Sequence, residues 1–344
     1  MAEFQKKRIS SDLLNNSNYI STENILQNFG GVQNSISIPA NTNVIEYQRG
    51  DVLLSNIRPY LKKVWLSDRH GGCSADVFVL RGNQCERRFL YYVIASDRFI
   101  NFVMSGAKGV KMPRGDKSQM EKFTFFIPTN VEQKKIAMFL SMLDERIRLQ
   151  NKIIEDLKKL KSAIYQEIFG SLVAQTLELG QVAEIIKGKQ VNGTELLEQG
   201  EYYVMNGGTT PSGWLNRYNT EANTISISEG GNSCGYVQYN TSRYWSGGHC
   251  YSLRILHPQE TLDLYLYHFL KWQEDNIMAL RIGSGLPNIQ KKDLLRFPVI
   301  LPVINKQKSI ISILSVIDAK MACDILLTEH YVIQKKYLLR KLFI

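Results

Sequence analysis

The sequence predicts an α+β chain in which two pseudo-repeated α/β globules are separated by two long helices packed as an antiparallel coiled coil. Three observations lead there. Residues 112 to 128, "MPRGDKSQMEKFTFFIP", return as residues 286 to 302, "LPNIQKKDLLRFPVILP", with a proline second and a proline last in each copy. Behind each copy the apolar residues fall into heptad spacing. Ahead of each lie short β-favouring runs punctuated by glycine pairs.

The repeat organises the rest, because self-similarity at a fixed period outranks local propensity as a sign of architecture. The offset is 174 in a chain of 344 residues. It sets Gln133 on Gln307, Lys134 on Lys308, Ile136 on Ile310, Leu140 on Leu314, Leu143 on Ile317 and Asp144 on Asp318. It continues with Lys161 on Lys335, Ile164 on Leu338, Ile168 on Leu342 and Phe169 on Phe343. Upstream the agreement thins to Gly72-Cys73-Ser74 near Ser246-Gly247-Gly248 and Leu90-Tyr91 on Leu264-Tyr265. The halves therefore diverge before the prolines and agree after them.

The first globule, residues 1–130, has strand-like runs at Val52 to Ser55, Asp76 to Leu80 and Phe123 to Ile127, with one helix over Leu90 to Ile100. β-branched and aromatic residues support the strands, and Gly30-Gly31 and Gly71-Gly72 punctuate them. Its opening, "MAEFQKKRISSDLLNNSN", does not resemble the Leu177 to Lys189 opening of the second globule, so the domain is expected to be truncated or recombined at its start. A helix follows over residues 131–170. Ile136, Leu140, Leu143, Ile147, Ile154, Leu157, Ile164 and Ile168 step by fours, threes and sevens, the seam of a coiled coil. Thr129 with Glu132 has the form of a capping box, and Pro128 stops the preceding strand. About 37 residues at about 1.5 Å each make a rod of roughly 55 Å.

The second globule, residues 171–303, has strands at Thr224 to Ser228 and Phe297 to Leu301 and a helix over Leu264 to Asp275, with turns at Gly207-Gly208, Gly230-Gly231 and Gly247-Gly248. The second rod, residues 304–344, runs Ile310, Leu314, Ile317, Met321, Leu327, Tyr331, Leu338, Leu342, with Asn305 as its cap. Because a whole domain lies between the rods, an antiparallel pair fits the connectivity. Its seam is expected at Leu140, Leu143, Leu157, Leu314, Ile317 and Tyr331.

Composition restricts function. The 42 basic and 32 acidic residues give a net charge of +10, and the pI is about 9.2. That excess suits a polyanionic partner, although charge alone does not separate nucleic acid from an acidic protein. No run approaches the roughly 18 apolar residues of a membrane span, and the first residues form no signal peptide, so no membrane partner is expected and the location is expected to be cytoplasmic. Cysteines 73, 85, 234, 250 and 323 are odd in number and without a CxxC, which points to reduced thiols rather than disulfides or zinc.

Catalytic motifs are missing. None of the nine prolines is followed by another, which removes the Pro-Pro-aromatic motif of an adenine methyltransferase. A GxxxxGK[ST] phosphate loop is absent, and histidines 70, 249, 257, 268 and 330 share no metal spacing. Asp116 with Glu132-Gln133-Lys134 imitates the D…ExK of a restriction nuclease. The repeat places Gln290 and Lys306 at the two carboxylate positions, and Glu132 is already accounted for as a cap.

Two diverged globules, each closed by xP-x14-P, then Gln133-Lys134 or Gln307-Lys308 and a helix with L-x-x-(I/L)-D, resemble the specificity subunit of a type I restriction–modification system. Leu177 to Lys189 resembles the start of that family's target recognition domain, as does Gly50 to Ser55 with Arg58-Pro59-Tyr60. The resemblance implies a non-catalytic reader of a bipartite, asymmetric double-stranded DNA target, whose spacer the paired helices measure. It implies docking of two modification (methyltransferase) subunits and, through them, restriction (motor/nuclease) subunits. S-adenosylmethionine, ATP and Mg would reside on those partners, with no cofactor on this chain. The DNA-reading subunit of a type IIB restriction enzyme fits the same motifs, and a coiled-coil scaffold binding only protein is the reading from a different class.

DNA-contacting candidates are the basic, polar and aromatic residues beside turns, where phosphate and base contacts are made. In the first globule they are Arg58, Tyr60, Lys62, Lys63, Lys108, Lys111, Arg114 and Lys117. In the second they are Asn206, Ser228, Asn232, Arg243, Tyr244, Arg281, Ser284, Asn288, Lys291 and Lys292.

Overall fold

The computed structural model describes residues 2–283 and 285–343. The chain divides into two compact units, residues 1–152 with 325–344 and residues 153–324. Each unit is built on the same antiparallel four-stranded sheet. In the first its strand order is Ala2–Phe4, Val77–Gly82, Val52–Ser55, Val64–Leu66. In the second it is Ala183–Lys187, Cys250–Ile255, Thr224–Ser228, Val237–Asn240.

The register makes the correspondence residue-specific. Phe4 pairs with Leu80 and Leu80 with Val52, while Ile185 pairs with Leu253 and Leu253 with Ile225. Ala2-Glu3-Phe4 thus stands where Ala183-Glu184-Ile185 stands, although the Gln175–Glu178 strand and the Leu179–Val182 helix that lead into the second have no counterpart among the described residues of the first. The likeness was hidden because loops of unequal length carry the offset from 181 at this strand to 173 at the next. A further parallel pair is also shared: Tyr19–Ile20 with Gly72-Cys73, and Val204-Met205 with Trp245–Ser246.

The first sheet is apolar on both faces. Val52, Leu54, Val64 and Leu80 pack with Leu90, Ile94, Phe99 and Ile100, while Leu53, Trp65, Val77 and Val79 pack with Ile20, Ile25 and Tyr47. That two-sided burial explains the unbroken apolar run of the Val52 strand. In the second sheet one face carries Ile185, Ile225, Ile227, Tyr251 and Leu253 into the core. Ser226 and Ser252, which alternate with them onto the other face, are also buried, and Asn240 Nδ2 donates to Ser226 Oγ at 2.9 Å, as buried polar groups require.

Several elements differ from expectation. The helix predicted over Leu90 to Ile100 is two, Arg87–Ala95 and Asp97–Ser105, because Ser96 is extended and its Oγ caps Phe99 N at 3.2 Å. The one predicted over Leu264 to Asp275 is likewise split into Asp263–Trp272 and Glu274–Met278. Residues 123–127 form no strand, and Phe126 is 91% exposed. Their counterpart, Pro298–Leu301, is a strand because Gln175–Glu178 pairs with it; among the described residues no such segment pairs with residues 123–127.

The two rods are the helices Asn130–Gly170 and Ile304–Leu342. Glu132 Oε2 accepts from Thr129 N at 2.9 Å while Thr129 Oγ1 accepts from Glu132 N at 3.4 Å, the reciprocal capping box. Asn305 is not a cap; it lies inside the first turn. In the first unit Ala137 and Leu140 pack with Leu339 and Phe343, and Asp144 binds Lys335. In the second Tyr165 and Phe169 share a core with Ile310 and Leu314, and Lys161 binds Asp318. In both units the helix segments run antiparallel, and the offset of 174 turns one ion pair into the other. Leu143 and Ile317 are buried, and Leu157 and Tyr331 half-buried. Leu327 and Leu342, expected in the stripe, are exposed; the inward positions there are held by Asp324, Leu339 and Phe343.

The glutamine of the shared Gln-Lys dipeptide has a structural cause. Gln133 Oε1 accepts from Glu86 N at 2.9 Å and its Nε2 donates to Pro128 O at 2.9 Å. Gln307 repeats this with Leu262 N at 2.9 Å and Pro302 O at 2.8 Å. Each buried amide ties the proline, the rod and a globule helix together. No helix among the described residues is long and apolar enough to cross a membrane.

Candidate nucleic-acid interface

In each unit the strand at Val52 or Thr224 runs into a turn, and a second loop is laddered onto it. Arg58 N donates to Pro113 O at 2.8 Å and Gly115 N to Asn56 O at 3.0 Å. In the second unit Gly231 N donates to Pro287 O at 3.0 Å and Ile289 N to Glu229 O at 2.8 Å. The loop closes on itself in the same way, with paired bonds between Lys108 and Arg114 and between Ile282 and Asn288. Gly109 (φ 92°) and Gly283 (φ 104°) turn it in the left-handed region, which a side chain disfavours. The turn itself is held by a buried serine: Ser55 Oγ donates to Ile57 O at 3.0 Å, and Ser228 Oγ to Gly230 O at 3.3 Å.

Several candidates converge on this ladder. Arg114 is exposed and stands 3.4 Å from Asp76, and its counterpart Asn288 is exposed. Lys108 binds Asp116 at 2.8 Å and keeps an 82% exposed side chain. Lys111 is exposed, and Lys117 lies over the Phe4 ring at 4.8 Å. Arg281, Lys291 and Lys292 are exposed on the matching side of the second unit; Ser284 lies outside the described residues. Arg58 is part-buried in the left-handed region (φ 52°), and Tyr60 beside it is 47% exposed. Asn232 is exposed in the Gly230-Gly231 turn.

Others are engaged elsewhere. Tyr244 is fully buried, stacked on Tyr203 at 5.5 Å, so as a DNA contact it is corrected to a core residue. Ser228, 4% exposed, donates its hydroxyl to Gly207 O at 2.6 Å and is corrected likewise. Lys62 pairs with Asp97, and Lys63 Nζ donates to Thr22 O at 2.7 Å. Arg243 pairs with Glu221 at 2.8 Å and covers the Tyr218 ring. Asn206 Oδ1 accepts from His249 N at 3.1 Å, and a Cβ on Gly247 would stand 2.5 Å from that oxygen. Glycine there lets two turns touch.

Asp116 is a structural acid. Lys108, Ser118 and the Gln119 N–H hold its carboxyl well below the usual range, and its Oδ1 caps the Lys117–Met120 turn at Ser118 N, 2.8 Å. Among the described residues no group of His, Cys, Asp and Glu is placed to hold a metal. Burial pushes the Cys73 thiol up to about 12 and those of Cys85 and Cys250 up to about 11, which keeps them protonated and unreactive.

Sequence reasoning missed a cluster in the second unit. Glu229 Oε1 accepts from Lys187 Nζ at 2.7 Å and Tyr251 OH at 3.1 Å, and Oε2 lies 4.0 Å from His249 Nδ1. Nothing in "EGGN" marks this carboxylate; only the pairing of strands assembles its neighbours.

A family model described as "Type I restriction modification DNA specificity domain" matches residues 1–159 and 174–325. A putative type I specificity subunit of Mycoplasma pneumoniae is 38% identical over 144 residues, 42% of this chain and 38% of that protein. A second, from Mycoplasma genitalium, is 35% identical over 140 residues, 40% of this chain and 36% of that protein. The matched stretch is thus less than two-fifths of each relative's own length. The putative type I restriction enzyme MjaX specificity subunit of Methanocaldococcus jannaschii is 23% identical over 316 residues, 78% of this chain and 72% of that protein. The crystal structure of a type I restriction–modification S subunit from M. genitalium superposes with a TM-score of 0.69 at 20% identity, covering 100% of this chain and 93% of that one. At that identity the likeness is one of fold.

Proposed function

Because the chain belongs to the family of type I restriction–modification DNA specificity domains, we propose that it is a non-catalytic cytoplasmic subunit that reads double-stranded DNA. Each unit reads one half of a bipartite, asymmetric target, and the antiparallel rods set the spacer between the halves. The observation that carries this reading is the repeated ladder with unlike side chains at its exposed positions, Arg114 against Asn288. A shared frame with changed reading residues suits two different half-sites.

Two modification subunits dock on the rods and bring S-adenosylmethionine, and restriction subunits with ATP and Mg join through them. Support comes from apolar residues that stay exposed at equivalent positions: Phe139 with Ile313 and Met142 with Val316. Repeated surfaces suit two copies of one partner. Mapping methylated adenines genome-wide in cells expressing the chain with its modification subunit tests the reading. The expected result is one two-part motif with a spacer of constant length; methylation without a motif would contradict it.

A further inference from the structure

Among the described residues, two buried acceptor oxygens without a hydrogen-bond partner lie at the same place in the two units. They are Asn56 Oδ1 and Glu229 Oε2. The equivalence is set by the backbone. Asn56 N donates to Asp76 O at 2.8 Å and Asn56 O accepts from Gly115 N, while Glu229 N donates to His249 O at 2.9 Å and Glu229 O accepts from Ile289 N. Each residue follows the turn serine directly and is fixed between the strand and the laddered loop. Leaving a buried acceptor unmade costs free energy, and the same cost borne at two equivalent positions by chemically different side chains points to a ligand that supplies the donors.

We infer that Asn56 and Glu229 are specificity-determining residues, each taking a hydrogen bond from the exocyclic amino group of a DNA base. The inference rests on the DNA-reading function proposed above. The two side chains select different bases. An asparagine amide offers an acceptor and a donor, the pattern that matches adenine N6 and N7. A carboxylate offers only acceptors, which suits cytosine N4 and is repelled by the O6 and N7 acceptors of guanine. Glu229 is already aimed: Lys187 and Tyr251 hold Oε1, while Oε2 makes no hydrogen bond and has only His249 Nδ1, 4.0 Å away, beside it. The side chains bordering it, Lys187 and His249, are 56% and 64% exposed, so their rotation opens Oε2 to a base edge.

The test is selection from a random duplex pool by the full chain with its modification subunit, comparing wild type with Asn56→Asp and Glu229→Gln. Both substitutions keep the side-chain size. Glu229→Gln is expected to shift one position of one half-site from cytosine to adenine, with discrimination against the old base changing about tenfold to a hundredfold. Asn56→Asp is expected to shift one position of the other half-site from adenine to cytosine. The untouched half-site in each variant reports that the protein is folded. Unchanged motifs in both variants would overturn the inference, as would a uniform weakening across all sequences, the mark of a packing role. A wild-type chain without any preference would overturn the proposed function and the inference with it.

Discussion

The second unit completes what the first leaves open. Its Pro298–Leu301 strand is paired and Val299 is fully buried, whereas residues 123–127 of the first unit are unpaired and Phe126 is in solvent. Yet the four-stranded sheets, the turn serines and the laddered loops coincide. The frame that presents side chains at the turn is therefore independent of the closing strand, and the units can differ at their edges without losing the equivalence of these turns.

If the units are one frame used twice, equivalent core positions should cost the same to damage. Leu140→Ala and Leu314→Ala, both fully buried, should each destabilise by about 2–5 kcal/mol. Denaturant unfolding of the two variants measures this, and a difference beyond that range would break the equivalence. A sharper contrast comes from His268, which exists only in the second unit's core, bonded to Tyr165 OH at 2.9 Å. Burial, reinforced by Lys161, pushes its imidazole down to about 4. The unfolded ring takes up a proton below about pH 6.5, which the folded ring does not do until about pH 4. This ring's contribution to stability is thus constant above about pH 6.5, falls on acidification toward about pH 4 by on the order of 3 kcal/mol, and levels off below. His268→Gln should flatten that slope in melting curves recorded between pH 4 and 7.

Smaller effects follow at the Gln-Lys motif. Gln133→Ala and Gln307→Ala each leave part-buried or buried backbone groups unpaired and should cost about 1–3 kcal/mol, read from chemical denaturation. Smallest is Phe126→Ser. An exposed side chain on an unpaired segment should change stability by no more than about 0.5 kcal/mol, whereas Val299→Ser, its near neighbour in the repeat, should unfold at distinctly lower denaturant.

The rods were legible because their matched positions, Leu140 with Leu314 and Asp144 with Asp318, survive without insertions. The sheet equivalence was not, since loop lengths change the offset before it reaches the prolines. Heptad counting placed Leu327 inward because it registers apolar residues, while the inward position there belongs to a polar one, Asp324. At the site, exposed loop cations such as Lys111 and Arg114 could be named from charge and turn context. Tyr244 and Ser228 could not be told from surface residues, because both sit near glycines and are buried by strands distant in sequence. Glu229 was illegible for the converse reason: a carboxylate in a basic chain draws no attention until Lys187, Tyr251 and His249 are brought beside it.

The central claim is that turns on a repeated frame read and the rods measure. Inserting seven residues, about two helical turns, after Asn151 and mapping the methylated motif tests it most directly. The account predicts a changed spacer with both half-sites unaltered. An altered half-site with the original spacer would contradict it.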